Sequence, residues 1–527
     1  MASKLLAFLA LAAELRPALA TVLPPRANAK PQACRKTKVA VLGAGISGIT
    51  AAQALSGAGV DDFLILEHND YIGGRVHHTT FGAKPDGSPY TVELGANWIE
   101  GVGGTGPVKN PILEATDKAK IKSVFSNYSA IVSYDHTGAN DYLHLLDEYD
   151  GNFTLATQDA GSILENDLQD SSMRAGLSVA GWKPGRDMRA QAAEWWSWDF
   201  GVSWPPDESG FQFGITGDNE TFNRFGDERY LATEARGLNA FVREAALIFL
   251  DGLEDPRLLL NTTVEAVEHS TKRVVVRDRD GGCVEAEYAI CTFSVGVLQN
   301  DVVEFQPRLP VWKREAIEQF QMGTYTKIFM QFNESFWPQD AQFLLYADED
   351  ERGWYPVFQN LGAPGFLEGS NILFGTVVGH QAFRAEQQTD EETKGQILTV
   401  LRKMFPDATV PEPTAFMYPR WGQEEWAFGS YSNWPVGMTL TKHQNLRANV
   451  GRLWFAGEAN SAKYYGFMHG AYYEGKDAGE RVAAMVRGEP IINEDTAPDG
   501  QLKRYEKLYG PVNMNEYNEG NGWPDDE

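Results

Sequence analysis

At 527 residues the chain has room for roughly two or three domains, each with its own core. Its 46 Lys and Arg against 72 Asp and Glu leave a formal net charge of −26, which excludes nucleic acid and an anionic membrane surface as the main partner. Spread evenly, such a surplus keeps a protein soluble; gathered locally, it attracts a polycation.

Residues 1–20 read as a secretory leader: Lys4, an apolar run over 5–13, then Ala18, Leu19 and Ala20 in an A-x-A cleavage pattern. Glu14 and Arg16 end the apolar run too early for it to span a bilayer, so the sequence predicts an exported chain without a membrane helix. Sequons at Asn127, Asn152, Asn219, Asn261 and Asn333 agree with export. The 3 cysteines weaken it. Cys283 and Cys291 fall in one predicted strand, ~25 Å apart if extended, and Cys34 lies near the mature N-terminus, so no disulfide framework is expected.

The first regular unit spans 38–75. Val39, Ala40, Val41 and Leu42 form an apolar run suited to a buried parallel strand. Gly43, Gly45 and Gly48 follow as G-x-G-x-x-G at the mouth of an Ala-rich helix. The first glycine permits the turn, the second lets a pyrophosphate approach the backbone, and the third lets helix pack on strand. The helix N-terminus itself favours phosphate. A second strand over 63–66 ends in Glu67, placed for a pair of ribose hydroxyls. Gly73, Gly74 and Arg75 come too soon for a third strand. They suit a second backbone turn and a guanidinium at the same pyrophosphate, or, taken alone, a surface turn with a solvated arginine.

Residues 90–101 read as a strand entering an irregular loop. Gly101, Gly103 and Gly106 repeat the glycine spacing, but no apolar strand feeds them and no βαβ unit follows the helix predicted from Pro107. A second nucleotide domain, and with it a nicotinamide-linked reductase, is not expected. From about 107 to 224 the pattern is irregular, with short helices and a cluster of Trp195, Trp196, Trp198 and Trp204 that reads as core. Regularity returns with an amphipathic helix over 237–250, a strand over 273–278, a hairpin turn at Asp280 and Gly281, and a strand over 284–293. Alternation over 325–332 puts Tyr325 and Lys327 on one face and Thr326, Ile328 and Met330 on the other. A lysine there is either an edge-strand guard or a functional group. An apolar block at 452–456 precedes Gly457, Glu458 and a long helix from near Met468, whose N-terminal dipole beside Gly466 and Phe467 favours negative charge. Residues past about 488 read as an extended polar tail. No H-E-x-x-H or cysteine cluster marks a metal site, and none is expected.

The glycine turn, ribose acid and following GGR resemble the flavin amine oxidase family, in which the dinucleotide is FAD. FGDERYLATEARG (225–237), MGTYTKIFMQFNESFWP (322–338), GSYSNWPVGM (429–438) and FAGEANSAKYYGFMHGAYYEG (455–475) look like the plant-type extracellular polyamine oxidases. The likeness covers most of 36–487; only 107–222 departs widely. It implies a mixed α/β (α+β) chain: a Rossmann-like FAD-binding domain plus a discontinuous substrate-binding domain with a mixed sheet and helices. After the leader at 1–20, the FAD-binding domain would take 36–106, 225–302 and 419–488. The substrate domain would take 107–224 and 303–418, leaving 489–527 as the tail.

The resemblance also implies roles. Gly43, Gly45, Ser47, Gly48, Glu67, Gly74, Arg75, Gly95, Ala96, Asn97, Trp98, Val264, Trp421, Glu458, Gly466 and Phe467 would contact FAD. The flavin would be non-covalent, since 462–468 carries no cysteine. Lys327 would reach the flavin N5 through a water. Tyr325, Tyr431 and Phe467 would enclose the substrate, and Glu100 would face it in a tunnel. Phe467 stands where the family usually has tyrosine, and the stretch that supplies a second tunnel acid matches poorly, so Asp199, Asp207 and Glu208 all stay open for that role. The implied reaction oxidises a secondary amine of a spermidine- or spermine-like polyamine. Hydride passes to flavin N5, the imine hydrolyses to an aminoaldehyde and an amine, and molecular oxygen reoxidises the flavin to give hydrogen peroxide. Monoamine and L-amino-acid oxidases on the same fold, and a secreted FAD-binding protein without turnover, are the rival readings.

Overall fold

The computed structural model describes residues 33–165, 168–489, 517–518 and 523–524. The expected leader, and all of the tail except Glu489 and the paired two-residue strands Tyr517–Asn518 and Trp523–Pro524, lie outside the described residues. Among the described residues no helix is long and apolar enough to cross a membrane.

The strand Arg35–Leu42 is the middle of an 8-stranded sheet, with Phe63–Leu66 and Cys283–Cys291 parallel to it on either side. Leu258–Leu259 extends one edge, and Val274–Asp278, Val264–His269 and Glu304–Gln306 extend the other. Leu453–Phe455 joins parallel to the second half of Cys283–Cys291. Phe63–Leu66 is buried along its whole length, as a strand covered on both faces must be, which is why it reads as an unbroken apolar run. The helix Ile46–Gly57 covers this sheet together with the last long helix, Met468–Arg487. Small residues let them touch: a Cβ on Gly475 would sit 2.3 Å from the Ser47 carbonyl oxygen, and one on Gly479 2.5 Å from that of Ala51.

A second, 7-stranded sheet runs in the order Ala415–Met417, Tyr325–Gln331, Ile372–Val378, Val357–Asn360, Phe343–Ala347, Ile131–Asp135, Gly138–Ala139. The helix Asp390–Met404, opened by a capping box at Thr389 and Glu392, packs Ile397, Leu401 and Met404 against Ile328, Met330 and Val377. A 3-stranded sheet of Trp98–Val102, Glu228–Ala232 and Ser123–Phe125 also stands beside the cavity described below. The chain is thus a mixed α/β protein with a Rossmann-like unit and a second, mixed-sheet unit.

Several expectations need correction. Region 107–224 is not a set of short helices: His144–Glu165 runs for 22 residues and Phe211–Phe225 for 15. The buried side of the first carries Tyr149, Ala156, Ala160 and Ile163, and alanines among glycines give a weak apolar period. The helix expected from Pro107 begins at Pro111, where the Asn110 side chain accepts from the Ile112 N–H. The helix expected over 237–250 is confined to Ala240–Ala246. The four tryptophans are buried, and Trp195–Asp199 forms a π-helical turn.

The largest correction concerns the cysteines. Cys34 and Cys283 form a disulfide, with Cα atoms 4.7 Å apart, while Cys291 is free and buried. The parallel register that pairs Arg35 with Val284 brings Cys34 beside Cys283. Weighing Cys283 only against Cys291 on its own strand missed a partner delivered by a neighbouring one.

Candidate active site

A cavity of about 1060 Å³ is lined by residues of both large sheets. At one end stands the glycine turn. Gly43 has φ +106°, and a Cβ there would lie 2.6 Å from Thr292 Oγ1, so only glycine fits. Gly45 faces open space, which leaves the backbone approachable. Gly48 does not line the cavity; its added Cβ would fall 1.9 Å from the Gly43 carbonyl oxygen, which marks it as the helix-packing glycine. Glu67 is buried, accepting from the Ala44 N–H at 2.7 Å and the Asn69 N–H at 2.9 Å. Burial raises its pKa and those backbone donors oppose the rise.

The Gly73 N–H donates to the Ala44 carbonyl at 2.8 Å, so the GGR turn lies against the first glycine turn and is not a solvated surface turn. Arg75 Nη1 donates to the Ser430 carbonyl at 3.0 Å and to Glu458 Oε1 at 2.9 Å. Glu458 Oε2 in turn accepts from Ser432 Oγ at 2.6 Å and the Gly466 N–H at 2.7 Å. These contacts tie the first nucleotide segment to the strand Tyr431–Asn433 and to the start of the last helix. Ser47, Gly74, Gly95, Ala96, Asn97, Trp98, Val264 and Trp421 continue the wall. A glycine turn, the positive end of a helix and an acid at the second strand's end fit a flavin dinucleotide in this space. No cysteine is among the described residues of the lining.

Further along sits Lys327. Its strand, Tyr325–Gln331, lies between Ala415–Met417 and Ile372–Val378, and the residue is 2% exposed. That excludes the edge-strand guard, which needs an open edge. Lys327 Nζ donates to the carbonyls of Gly95 and Glu93, the latter at 3.3 Å, and lies 5.5 Å from the centre of the Trp98 ring. Burial pulls its ammonium down to about 7, against the opposing charge of Glu93. Glu93 itself, whose carboxylate accepts from the Leu238 N–H at 2.6 Å, is pushed up by burial to about 7.

An aromatic wall lines the same cavity. Tyr325 and Tyr431 have ring centres 6.1 Å apart, and Phe200 lies 5.8 Å from Tyr325. Tyr431 Oη donates to the Gly201 carbonyl at 3.0 Å, which fixes the ring. Phe467 stacks on His469 at 5.0 Å and meets Phe222 edge-on. Tyr431 and Phe467 both line the cavity.

Glu100 also lines it. Directly opposite on the neighbouring strand is Arg229, whose Nε lies 3.6 Å from Glu100 Oε1. Burial raises the Glu100 pKa, Arg229 opposes the rise, and Asp218 adds to it. Asp218, on the helix Phe211–Phe225, is the second acid facing Glu100; burial lifts it to about 6 against the pull of Arg229. None of the three candidates expected for this place lines the cavity. Asp199 is buried against Arg352 at 2.6 Å and 2.7 Å, Asp207 lies 3.7 Å from Arg174, and Glu208 pairs with His380 at 2.7 Å. Arg352, Arg174 and His380 claim them. Asp141, just before the helix His144–Glu165, and Asp147 and Asp150 in its first turns line the same cavity. Sequence reasoning missed Asp218, Arg229 and these three aspartates. Only the strand pairing of Glu100 with Arg229 reveals the ion pair, and pairing between distant segments leaves no local mark.

Comparison with known proteins agrees with this geometry. Residues 46–483 match the model of the flavin containing amine oxidoreductases. Polyamine oxidase 1 of Zea mays is 37% identical over 463 residues, covering 84% of this chain and 89% of that protein. Polyamine oxidase 7 of Oryza sativa subsp. japonica is also 37% identical, covering 84% and 93%. A solved triple mutant of putrescine oxidase, from a structure-based redesign of cofactor binding, superimposes with a TM-score of 0.66 at 20% identity, over 86% of this chain and 99% of its own, a likeness of fold. The chain belongs to the flavin-containing amine oxidoreductase family, and is an FAD-dependent amine oxidase.

Proposed function

We propose that this oxidase acts on polyamines of the spermidine and spermine class, at a secondary amine. The observation that carries the reading is local: Glu100, Asp218, Asp141, Asp147 and Asp150 line one cavity with Lys327 and the aromatic wall. A polyamine must present one neutral nitrogen for oxidation while its remaining ammonium groups stay charged, and fixed carboxylates hold those charges. When bound, FAD supplies the redox chemistry, taking hydride at N5 from the carbon beside the substrate nitrogen and passing electrons to oxygen, with hydrogen peroxide as product. The protein's residues orient and desolvate. Tyr325, Tyr431 and Phe467 hold the alkyl chain and exclude water, with cation–π attraction available to an arriving ammonium. Lys327, titrating near neutrality, holds or releases a proton at Nζ beside the Gly95 carbonyl. The helix Met468–Arg487 starts at Phe467 and points its positive end at the cavity wall.

One observation favours a second reading. An L-amino-acid oxidase needs a cation for the substrate carboxylate, and Arg229 is such a cation. Glu100 and Asp218 flank it, however, and would repel that carboxylate. Peroxide release from spermidine, spermine, a monoalkylamine and L-amino acids decides between them. Turnover confined to the polyamines is expected; faster oxidation of monoamines or amino acids would replace the reading.

We also propose that the chain is exported. The leader pattern at 1–20, the sequons and the Cys34–Cys283 bond support this, since disulfides persist in oxidising compartments. Cell fractionation of the tagged full chain checks it; a chain that keeps residues 1–20 inside the cell would overturn it.

A further inference from the structure

Arg229 has unusual company for an arginine. Its guanidinium carbon lies 4.1 Å from the centre of the Phe222 ring and 4.7 Å from that of Tyr128. Glu100 lies 3.6 Å from its Nε, and the charge of Asp218 acts on it from the helix Phe211–Phe225. Two aromatic faces and two carboxylates around one cation are the groups that would receive a substrate ammonium. Here a side chain of the protein fills the place. Both acids line the cavity, so the arginine sits where substrate would pass.

A cation fixed there has two effects on a charged substrate. It neutralises one of the two facing carboxylates, and it repels any ammonium that approaches them. We propose that Arg229 is a specificity-determining residue, a tethered cation that competes with the substrate's remote charge for Glu100 and Asp218 and so limits how many ammonium groups an amine may carry past its reacting nitrogen. The proposal rests on the amine-oxidase reading of this cavity, but not on which amine is oxidised.

The test compares octyltrimethylammonium with octamethonium, its bis-quaternary counterpart, by calorimetry on the FAD-loaded enzyme. Neither probe can form an imine, so neither is consumed, and the outcome is independent of the peroxide panel. Arg229→Met keeps an unbranched chain between the rings without charge, and Arg229→Gln keeps a planar polar end. Both should raise the affinity for the dication, relative to the monocation, by about tenfold or more, while Arg229→Lys stays within about threefold of wild type. Arg277→Met, at an exposed ion pair with Glu268, serves as the control and should leave the ratio unchanged. A ratio that does not move in Arg229→Met and Arg229→Gln, or that moves as far in Arg229→Lys, overturns the proposal.

Discussion

Lys327 donates to two carbonyl oxygens from a fully buried strand, and burial brings its ammonium to about 7. An ammonium brought that close to neutrality, beside Gly95 and Trp98 in the cavity wall, suits proton handling better than charge storage. Lys327→Met should leave FAD bound, as read by absorbance, and slow turnover by about tenfold or more, roughly 1.4 kcal/mol or more in the limiting barrier; wild-type rates would make the lysine structural. Its neighbour Glu93 has a folded-state pKa raised from 4.5 to about 7. The folded chain therefore binds that proton more tightly than the unfolded chain. The stability this gives is fully present below about 4.5 and lost as pH rises through about 7. Glu93→Gln is neutral throughout, so the wild-type Tm minus the variant Tm should fall as pH is raised across that window. A difference that stays flat would show an ordinary carboxylate. At Glu100 the outcome follows from Arg229: Glu100→Gln leaves the guanidinium balanced by Asp218 alone. kcat/KM for spermidine should drop by roughly ten- to a hundredfold, with little loss for an amine lacking a second charge. Equal losses on both substrates would take Glu100 out of substrate recognition.

The helices Ile46–Gly57 and Met468–Arg487 meet through glycines at 475 and 479, and the second helix begins at Phe467 beside the cavity. Gly479→Ala would press a methyl group 2.5 Å from the Ala51 carbonyl oxygen and 2.8 Å from the Ala54 side chain. Separation of the helices should cost about 1–3 kcal/mol and weaken FAD binding together with Tm, since the first turns of both helices line the cavity. An unchanged melting curve and flavin affinity would mean that the contact adapts freely. Elements of this kind were legible in the sequence because their signals are local: an apolar run at 39–42, a glycine turn, an acid after 63–66, a long periodic helix from Met468. His144–Glu165 was not, because small and polar residues, Ala156, Thr157 and Ala160, separate the few large apolar ones on its buried face. Asp218 was missed for a related reason. A polar residue on the inner side of Phe211–Phe225 looks like a break in the pattern until the cavity beside it is seen.

At the scale of the whole molecule, the cavity is closed by segments from both ends of the chain, and what joins them is strand pairing that no local pattern records. Arg35–Leu42 and Cys283–Cys291 run parallel, so their first residues share one end of the sheet and Leu42 with Cys291 the other. The glycine turn follows Leu42. The Cys34–Cys283 bond therefore sits at the opposite end from the cofactor turn and closes a sequence separation of 249 residues. A crosslink over so long a loop restricts the unfolded chain strongly, and its loss from a folded domain costs about 2–5 kcal/mol. Its distance from the turn makes the effect separable from catalysis. Replacing Cys34 and Cys283 together by serine should lower Tm while leaving kcat and KM within about twofold of wild type. Reductant should lower the wild-type Tm in the same way and leave that of the double variant in place. Equal melting of the two proteins in oxidising buffer would show that the bond adds nothing to stability, whereas a fall in kcat at full flavin occupancy would show that the strand pair transmits its strain to the turn.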